Sequence, residues 1–374
     1  MPESLATDSR RRATAALALT AALGTGVLAS SASCTPTPRP AAPAVVFVSI
    51  DTLRPDHLGC YGYPRPTSPA IDRFREEAIL FEQAVAHAPS TLSSHASMFT
   101  SLLPPHHGGS VLDRSAITPN VTLLAEVLRE AGFATASFNG GGQLHPVWGL
   151  DRGFDVYESF AESEGDRLGE DTFRERLTAA KDWIQSVRDE PFFLFLHTYE
   201  VHHPYTPEPE RLALMDSGYE GRLPGHISIR VLEKINAGIK ELRPGDREHI
   251  VAAYDAEISS ADAGFAEFLA LLRELGRYDS SLIVLTSDHG EAFGERGRIG
   301  WHGDTLFDEQ LRIPLLVRLP GGRLGGTTVT SQVRGVDLAP TLLSLLGLPV
   351  PEGFSGAVVD LGEEAGPDPK WALA

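Results

Sequence analysis

The chain has 374 residues, 42% of them hydrophobic, and a formal net charge of −18. That length and apolar content suit one large α/β domain or two smaller ones with a sizeable core. Lysine is confined to Lys181, Lys234, Lys240 and Lys370. The basic face that a nucleic acid requires is therefore missing, and any anionic substrate has to be held locally, by a metal, an arginine or a histidine. Near its start the chain reads "DSRRRATAALALTAALGTGVLASSASC", a basic start, an apolar stretch and small residues, which is the layout of an export signal over residues 1–33. Its apolar part is short for a membrane span. Cys34 is a candidate for lipid attachment, and "TPTPRPAAPA" behind it reads as an extended tether over 34–43. Cys60 then has no partner, and the fold owes nothing to disulfides.

The run "AVVFVSID", ending on Asp51, predicts a buried strand that stops on a carboxylate. "TSPAIDRFREEA" predicts a helix with a hydroxyl cap and Pro69 at its start. "NVTLLAEVLREAGF" predicts another helix and "ATASFN" a strand. A helix over roughly 171 to 189 leads to the strand "FFLFLHTY", and the long helical pattern "HIVAAYDAEISSADAGFAEFLALLRELG" leads to the strand "SLIVLTSD". The strand "IPLLVRLP" and the helix "DLAPTLLSLLG" follow. Helices alternating with apolar strands predict a mostly parallel sheet covered on both faces. Residues 206–246 read as a surface excursion.

Open sheets of this kind place their sites at the carboxyl ends of the strands. Two predicted strands end there in polar chemistry, "SID" at Asp51 and "TSDHG" at Asp288 and His289. A buried carboxylate at such a point is costly unless it is paired or bound to metal. The three residues together suggest one divalent cation, and the alternative is that each caps a turn or helix. Between them lies "HAPSTLSSHASMFTSLLPPHHG". It sets Thr91, Ser93, Ser94 and His95 before an apolar helical segment, either as a polar helix start or as the place of a nucleophile. His197 sits inside an apolar strand, where it is either a satisfied core histidine or part of a site. His106 and His107 read as loop or packing residues, and His145 and His203 as surface or turn positions.

Four ordered blocks carry a resemblance: "VSIDTLRPDHLGCYGYPRPTSPAIDRF", "TLSSHASMFTSLLPPHHG", "FLFLHTYEVHHPY" and "TSDHGEAFGERGRIGWHGDTLFDEQLRIPLLVRLPG". From about 40 to 350 the chain resembles the sulfatase family of the alkaline phosphatase superfamily. The resemblance implies an α/β/α sandwich with a mostly parallel central sheet, with a metal and a covalent nucleophile at its strand ends. It implies a catalytic domain over 44–350; the family usually adds a small C-terminal sheet, and the short tail over 351–374 leads us to expect little or no such subdomain here. By position, Asp51, Asp288 and His289 match the family's metal ligands, joined by Thr91. Thr91 falls where sulfatases carry the residue oxidised to formylglycine, and His95 falls on the arginine of that motif. His202 matches a substrate-facing histidine and His302 lies near a basic anion-binding residue. Arg54, Asn139 and His197 are the further substrate-binding candidates, with Glu291 beside them.

The chain also departs from the family. Thr52 stands where many sulfatases have a second aspartate, and the element "GKWHLG" has no clear counterpart, "FNGGGQLH" occupying its place. Threonine cannot become formylglycine, because its β-carbon already carries a methyl group. The expected function is a metal-dependent hydrolase of phosphate or sulfate esters through a metal-activated Thr91 and a covalent intermediate, as in the threonine enzymes of the wider superfamily. Two alternatives stay open: a phosphoglycerol- or phosphoethanolamine-type transferase on a lipid or glycan, and a catalytically silent binding lipoprotein. The expected cofactor is one divalent ion, Zn²⁺ or Mn²⁺ from the mixed donor set, with Ca²⁺ or Mg²⁺ as the other options. The expected partners are a small-molecule, glycan or lipid ester and, through Cys34, a membrane. The expected location is outside the cytoplasm.

Overall fold

The structure, a computed structural model, describes residues 42–160, 173–216 and 218–361. The export signal, Cys34, nearly all of the tether and the end of the tail lie outside them. In chain order the strands are β1 (Ala44–Ile50), β2 (Ile79–Phe81), β3 (Ala84–Val85), β4 (Ala134–Asn139), β5 (Val156–Ser159), β6 (Phe192–Thr198) and β7 (Ser281–Thr286). They continue with β8 (Ala292–Phe293), β9 (Ile299–Trp301), β10 (Arg312–Ile313), β11 (Leu315–Arg318), β12 (Thr328–Val329) and β13 (Val333–Arg334).

Eight of them form one sheet in the order β12-β2-β11-β7-β1-β6-β4-β5. Every residue of β1, β6 and β7 is buried, as continuous apolar runs require when both faces of a parallel sheet are covered. Pairing is parallel from β7 through β1, β6 and β4 to β5, while β11 runs antiparallel to both β7 and β2. The observed α/β/α sandwich is thus mostly parallel, as expected.

Alternation along β1 sends its side chains to two cores. Val46, Val48 and Ile50 join the core under the helices Pro69–Phe74, Phe173–Ser186 and Asp246–Glu274. Val45 and Phe47 join the core under the helices Thr91–Thr100, Leu124–Glu130 and Leu338–Leu345. The helix Pro69–Phe74 has Pro69 at its start, as predicted, but Ser68 makes no capping bond. The carboxylate of Asp262, on the long helix, takes that role by accepting from Ala70 N at 2.9 Å and Ile71 N at 2.8 Å. Within 206–246 the helix Pro209–Met215 packs through Met215 onto Ala252 and Ala256 of the long helix.

Strand register positions the site. Ser49 of β1 lies opposite His197 of β6 and Thr286 of β7, and Ile50 lies opposite Thr198. The carboxyl ends of the three central strands are therefore level, and Asp51, Tyr199 and Asp288 emerge side by side.

Candidate active site and cation-binding cluster

Asp51 leaves β1 with its backbone N–H donating to Thr198 O at 3.0 Å. The chain then turns through Thr52, a non-glycine residue at φ 55°, a conformation that costs energy and is kept only where its surroundings impose it. Here Thr52 N donates to Asp288 Oδ1 at 3.3 Å and Thr52 Oγ1 to Asp51 O at 2.8 Å. The turn thus ties the first acidic strand end to the other.

Thr91 is the first residue of the helix Thr91–Thr100, after Ser90 in extended conformation. Its hydroxyl does not cap the helix. It donates to Asp51 Oδ2 at 3.1 Å, and His197 Nε2 meets the same oxygen at 3.2 Å. With Asp51 ionised, as a cation would keep it, His197 Nε2 is the donor to this oxygen. Tyr199 donates to Gly141 O at 3.1 Å. The neighbouring hydroxyls are engaged elsewhere: Ser93 Oγ donates to Gly109 O at 2.9 Å and Ser94 Oγ to Asp288 O at 2.6 Å. Thr91 is the one hydroxyl of this run that reaches Asp51.

Asp51, Asp288 and His289 are fully buried, and each offers a ligand atom within 4.8 Å of the others. Among the described residues Asp51 Oδ1, Asp288 Oδ2 and His289 Nε2 are buried without a hydrogen-bond partner, although His289 Nε2 lies 3.4 Å from Asp288 Oδ2. Leaving such atoms unsatisfied costs about 1–3 kcal/mol each and more for charged ones. Burial, with the charge of Asp288 next, pushes the Asp51 carboxyl well above the usual carboxylate range. Burial also acts to raise Asp288, but His289, His95 and His197 outweigh it and hold that carboxyl below the usual range. Two opposed carboxylates and an imidazole with orphaned atoms on one point make a donor set that fits a divalent cation.

A wall of histidines adjoins this set. The antiparallel pairing of Ala292 in β8 with Trp301 in β9 brings Glu291, just before the hairpin, beside His302, just after it. His302 Nδ1 meets Glu291 Oε1 at 3.0 Å, His203 Nδ1 meets Glu291 Oε2 at 3.4 Å, and Tyr205 OH donates to Oε2 at 3.1 Å. Burial acts to raise the Glu291 carboxyl, yet His302 and His203 hold it well below its usual range. His202 Nδ1 bonds the carbonyl of His203. Burial, then the neighbouring imidazoles, keeps His202 well below the usual histidine value, and burial lowers His302 despite Glu291. The rings of His289 and His302 lie 4.5 Å apart, so the wall and the carboxylate set are contiguous.

Asp51, Thr91, Asp288, His289, His197, His202 and His302 thus come together, and three predicted residues stand apart. His95 is fully buried and uses both ring nitrogens, Nδ1 with Thr91 O and Nε2 with Ser49 Oγ, each at 2.9 Å. It holds the helix start against β1 and has no nitrogen left for a substrate. Arg54, expected to contact an anion, ends on Asp56 Oδ2 and Glu295 Oε1, both at 2.7 Å, and on Glu291 O. Asn139 is fully buried, donating to Ser137 Oγ at 2.9 Å and accepting from Gly141 N at 2.9 Å. It shapes the turn after β4. His107 packs as expected, with Nε2 3.1 Å from Ser97 Oγ. His203 reverses its expectation: it is buried in the cluster. Tyr199 and Tyr205 carried no sequence signal beyond lying beside His197 and within "HHPY".

The Sulfatase family model matches residues 43–348. The chain is 25% identical over 360 residues to an ulvan-active sulfatase of Formosa agariphila, covering 88% of this chain and 66% of that one. It is 22% identical to an N-acetylglucosamine-6-O-sulfatase of Bacteroides thetaiotaomicron, covering 84% of this chain and 70% of that one. The chain therefore spans about two thirds of the length of these relatives. Its fold is shared with the phosphonate monoester hydrolase of Agrobacterium radiobacter at a TM-score of 0.64 and 20% identity, over 82% of this chain and 74% of that one.

Proposed function

Since this chain belongs to the sulfatase family, we propose that it hydrolyses sulfate or phosphate esters, phosphonate monoesters included, with Thr91 as the attacking group. The observation that carries this reading is the Thr91–Asp51 hydrogen bond of 3.1 Å, set against the orphaned atoms of Asp51, Asp288 and His289.

Asp51, Asp288 and His289 would hold a divalent cation, which when bound polarises an ester oxygen and favours ionisation of a hydroxyl beside it. The donor set suits Zn²⁺ or Mn²⁺ better than Ca²⁺ or Mg²⁺. Asp51 Oδ2 accepts from Thr91 and His197, which aims the Thr91 oxygen and leaves Oδ1 free. In the first step Thr91 Oγ1 gives up its proton on the Asp51 side and bonds the sulfur or phosphorus. The bond to the ester oxygen breaks, and the departing alkoxide takes up the proton that Thr91 gave up. Water then attacks the same centre, the bond to Thr91 Oγ1 breaks as a proton passes to that oxygen, and sulfate, phosphate or phosphonate is released. His95 keeps the helix start in register with β1. His202 and His302 wall the space as neutral imidazoles, so they contribute shape and lone pairs rather than positive charge.

The relatives named for ulvan and for N-acetylglucosamine-6-O-sulfate support a glycan ester as the substrate class. Export through residues 1–33, with lipid on Cys34, would put that chemistry outside the cytoplasm. Among the described residues no helix is long and apolar enough to cross a membrane. The retained donor set speaks against a catalytically silent fold, and no observed contact favours an acceptor alcohol over water. The test is a panel of aryl sulfate, phosphate monoester, phosphodiester and phosphonate monoester, with each metal added back to wild type and Thr91→Ala. The reading expects turnover that Thr91→Ala abolishes; turnover surviving that substitution overturns it.

A further inference from the structure

We propose that Gln143 is a positioning residue: it caps the helix that begins at Thr91, and does so with an uncharged amide so that an anionic ester can reach the attacking oxygen. The inference rests on the reading of Thr91 as that attacking group. The first N–H groups of a helix have no partner within it, and the residue before the helix usually supplies an acceptor. Ser90 stands there in extended conformation and makes no capping bond. The hydroxyls of Thr91, Ser93 and Ser94 are spent on Asp51, Gly109 O and Asp288 O. Leu92 N, in the first turn, donates instead to Gln143 Oε1 at 3.1 Å, 51 positions along the chain. Facing an N–H, the amide has to present its oxygen.

The turn that carries Gln143 is fastened on several sides. It follows β4 as "NGGGQ", and Asn139 Oδ1 accepts from Gly141 N at 2.9 Å. Tyr199, from the end of β6, donates to Gly141 O at 3.1 Å, and Trp148 Nε1 donates to Gly142 O at 3.2 Å. Gly142 has φ 56°, and a Cβ on it would stand 3.2 Å from the Tyr199 hydroxyl. The left-handed backbone and this close approach both favour glycine there. Tyr199 in turn packs on His197, with ring centres 4.6 Å apart, and His197 reaches Asp51. One set of contacts thus refers the start of the Thr91 helix to the ends of β1, β4 and β6.

The amide has a physical reason. A carboxylate accepts from a first-turn N–H as well as an amide does, and its charge gains from the positive end of the helix. Here that end carries Thr91, where an ester would bring its own negative charge. Asp51 and Asp288 already place two buried carboxylates at this point. A third carboxylate at the helix start would offset the helix's partial positive charge and repel the ester. Gln143 satisfies Leu92 N and adds no charge. It also fixes the first turn, and with it the direction of Thr91 Oγ1 toward Asp51, an alignment on which the rate of a displacement depends steeply.

The test compares Gln143→Glu, Gln143→Ala and Thr91→Ala with wild type in the metal-loaded full chain. Each is read by steady-state kinetics on an aryl sulfate and an aryl phosphonate monoester, and by a thermal melt. Gln143→Glu keeps the acceptor, so it is expected to melt no lower than wild type, yet to raise KM about tenfold or more by repulsion. Gln143→Ala is expected to lower kcat about tenfold with a smaller change in KM, because Thr91 loses its alignment rather than its substrate. A cap with a structural role alone would leave Gln143→Glu kinetically like wild type. Wild-type kinetics in either folded Gln143 variant, with Thr91→Ala inactive, overturn this inference alone. Turnover that survives Thr91→Ala overturns the reading of Thr91 and this inference with it. If Gln143→Ala does not fold, Gln143→Glu decides.

Discussion

Stripping the cation from the Asp51–Asp288–His289 set should lower the melting temperature measurably, and Asp288→Asn should remove that response. The site holds two buried, opposed carboxylates with one orphaned oxygen each, so the cation-free fold carries an uncompensated cost that an ion removes. A ligand present at about 100 times its dissociation constant stabilises by about 2.7 kcal/mol. At roughly 2–4 °C per kcal/mol for a chain of this size, readdition of metal should raise Tm by about 5–10 °C. Mn²⁺, one of the two ions the mixed donor set suits, is the ion to use. Asp288→Asn removes a ligand and also the charge facing Asp51, so the cation-free variant should melt no lower than the cation-free wild type. The pH dependence follows from Asp51. Its carboxyl is raised by burial and by Asp288 in the cation-free fold, so the folded chain binds a proton there that the unfolded chain has released. The associated stability is complete below the unfolded value and is lost as pH rises through the folded one. Cation and proton compete for this site, so the metal response should shrink as pH falls. The assay is a thermal melt with and without Mn²⁺ across pH. A wild type indifferent to metal at every pH, or an Asp288→Asn protein with the full response, would refute the reasoning.

Thr91→Ala should lower kcat at least about 10³-fold, as loss of a nucleophile does, with Tm little changed; steady-state rates and a melt check both. His95→Ala should lower stability by about 2–4 kcal/mol, because it empties a buried ring site and frees two polar partners, which a denaturant titration reads. Gly290→Ala should cost about 1–3 kcal/mol, since a Cβ there would collide with the carbonyl oxygen of Glu309. The same titration measures it, and wild-type stability would refute that packing argument. Arg54→Lys should change KM for a sulfate or phosphate ester less than about threefold while lowering Tm, because the guanidinium holds Asp56 and Glu295 rather than substrate.

Much of this site is legible in the sequence because its ligands stand at the ends of long apolar strands. Asp51 and Asp288 each follow a run whose two faces are buried, and parallel register then makes the ends level. Strands of two to four residues, such as β2, β5 and β12, have too few positions for a period to register. What a side chain points at is harder to read. Arg54 looks available to an anion until folding brings Glu295, 241 positions away, onto its guanidinium. His95 occupies a motif position, but the register of the helix against β1 turns it toward Ser49. His203 resembles an ordinary turn residue until the β8–β9 hairpin delivers Glu291 to its Nδ1.

The central claim is tested most directly by rapid-quench mass spectrometry of the metal-loaded full chain during turnover of a slow aryl ester. The account predicts the mass of one sulfo or phospho group on the peptide carrying Thr91, appearing and decaying with turnover and absent in Thr91→Ala. Turnover with that group on another residue, or with Thr91 never modified while Thr91→Ala stays active, would contradict it.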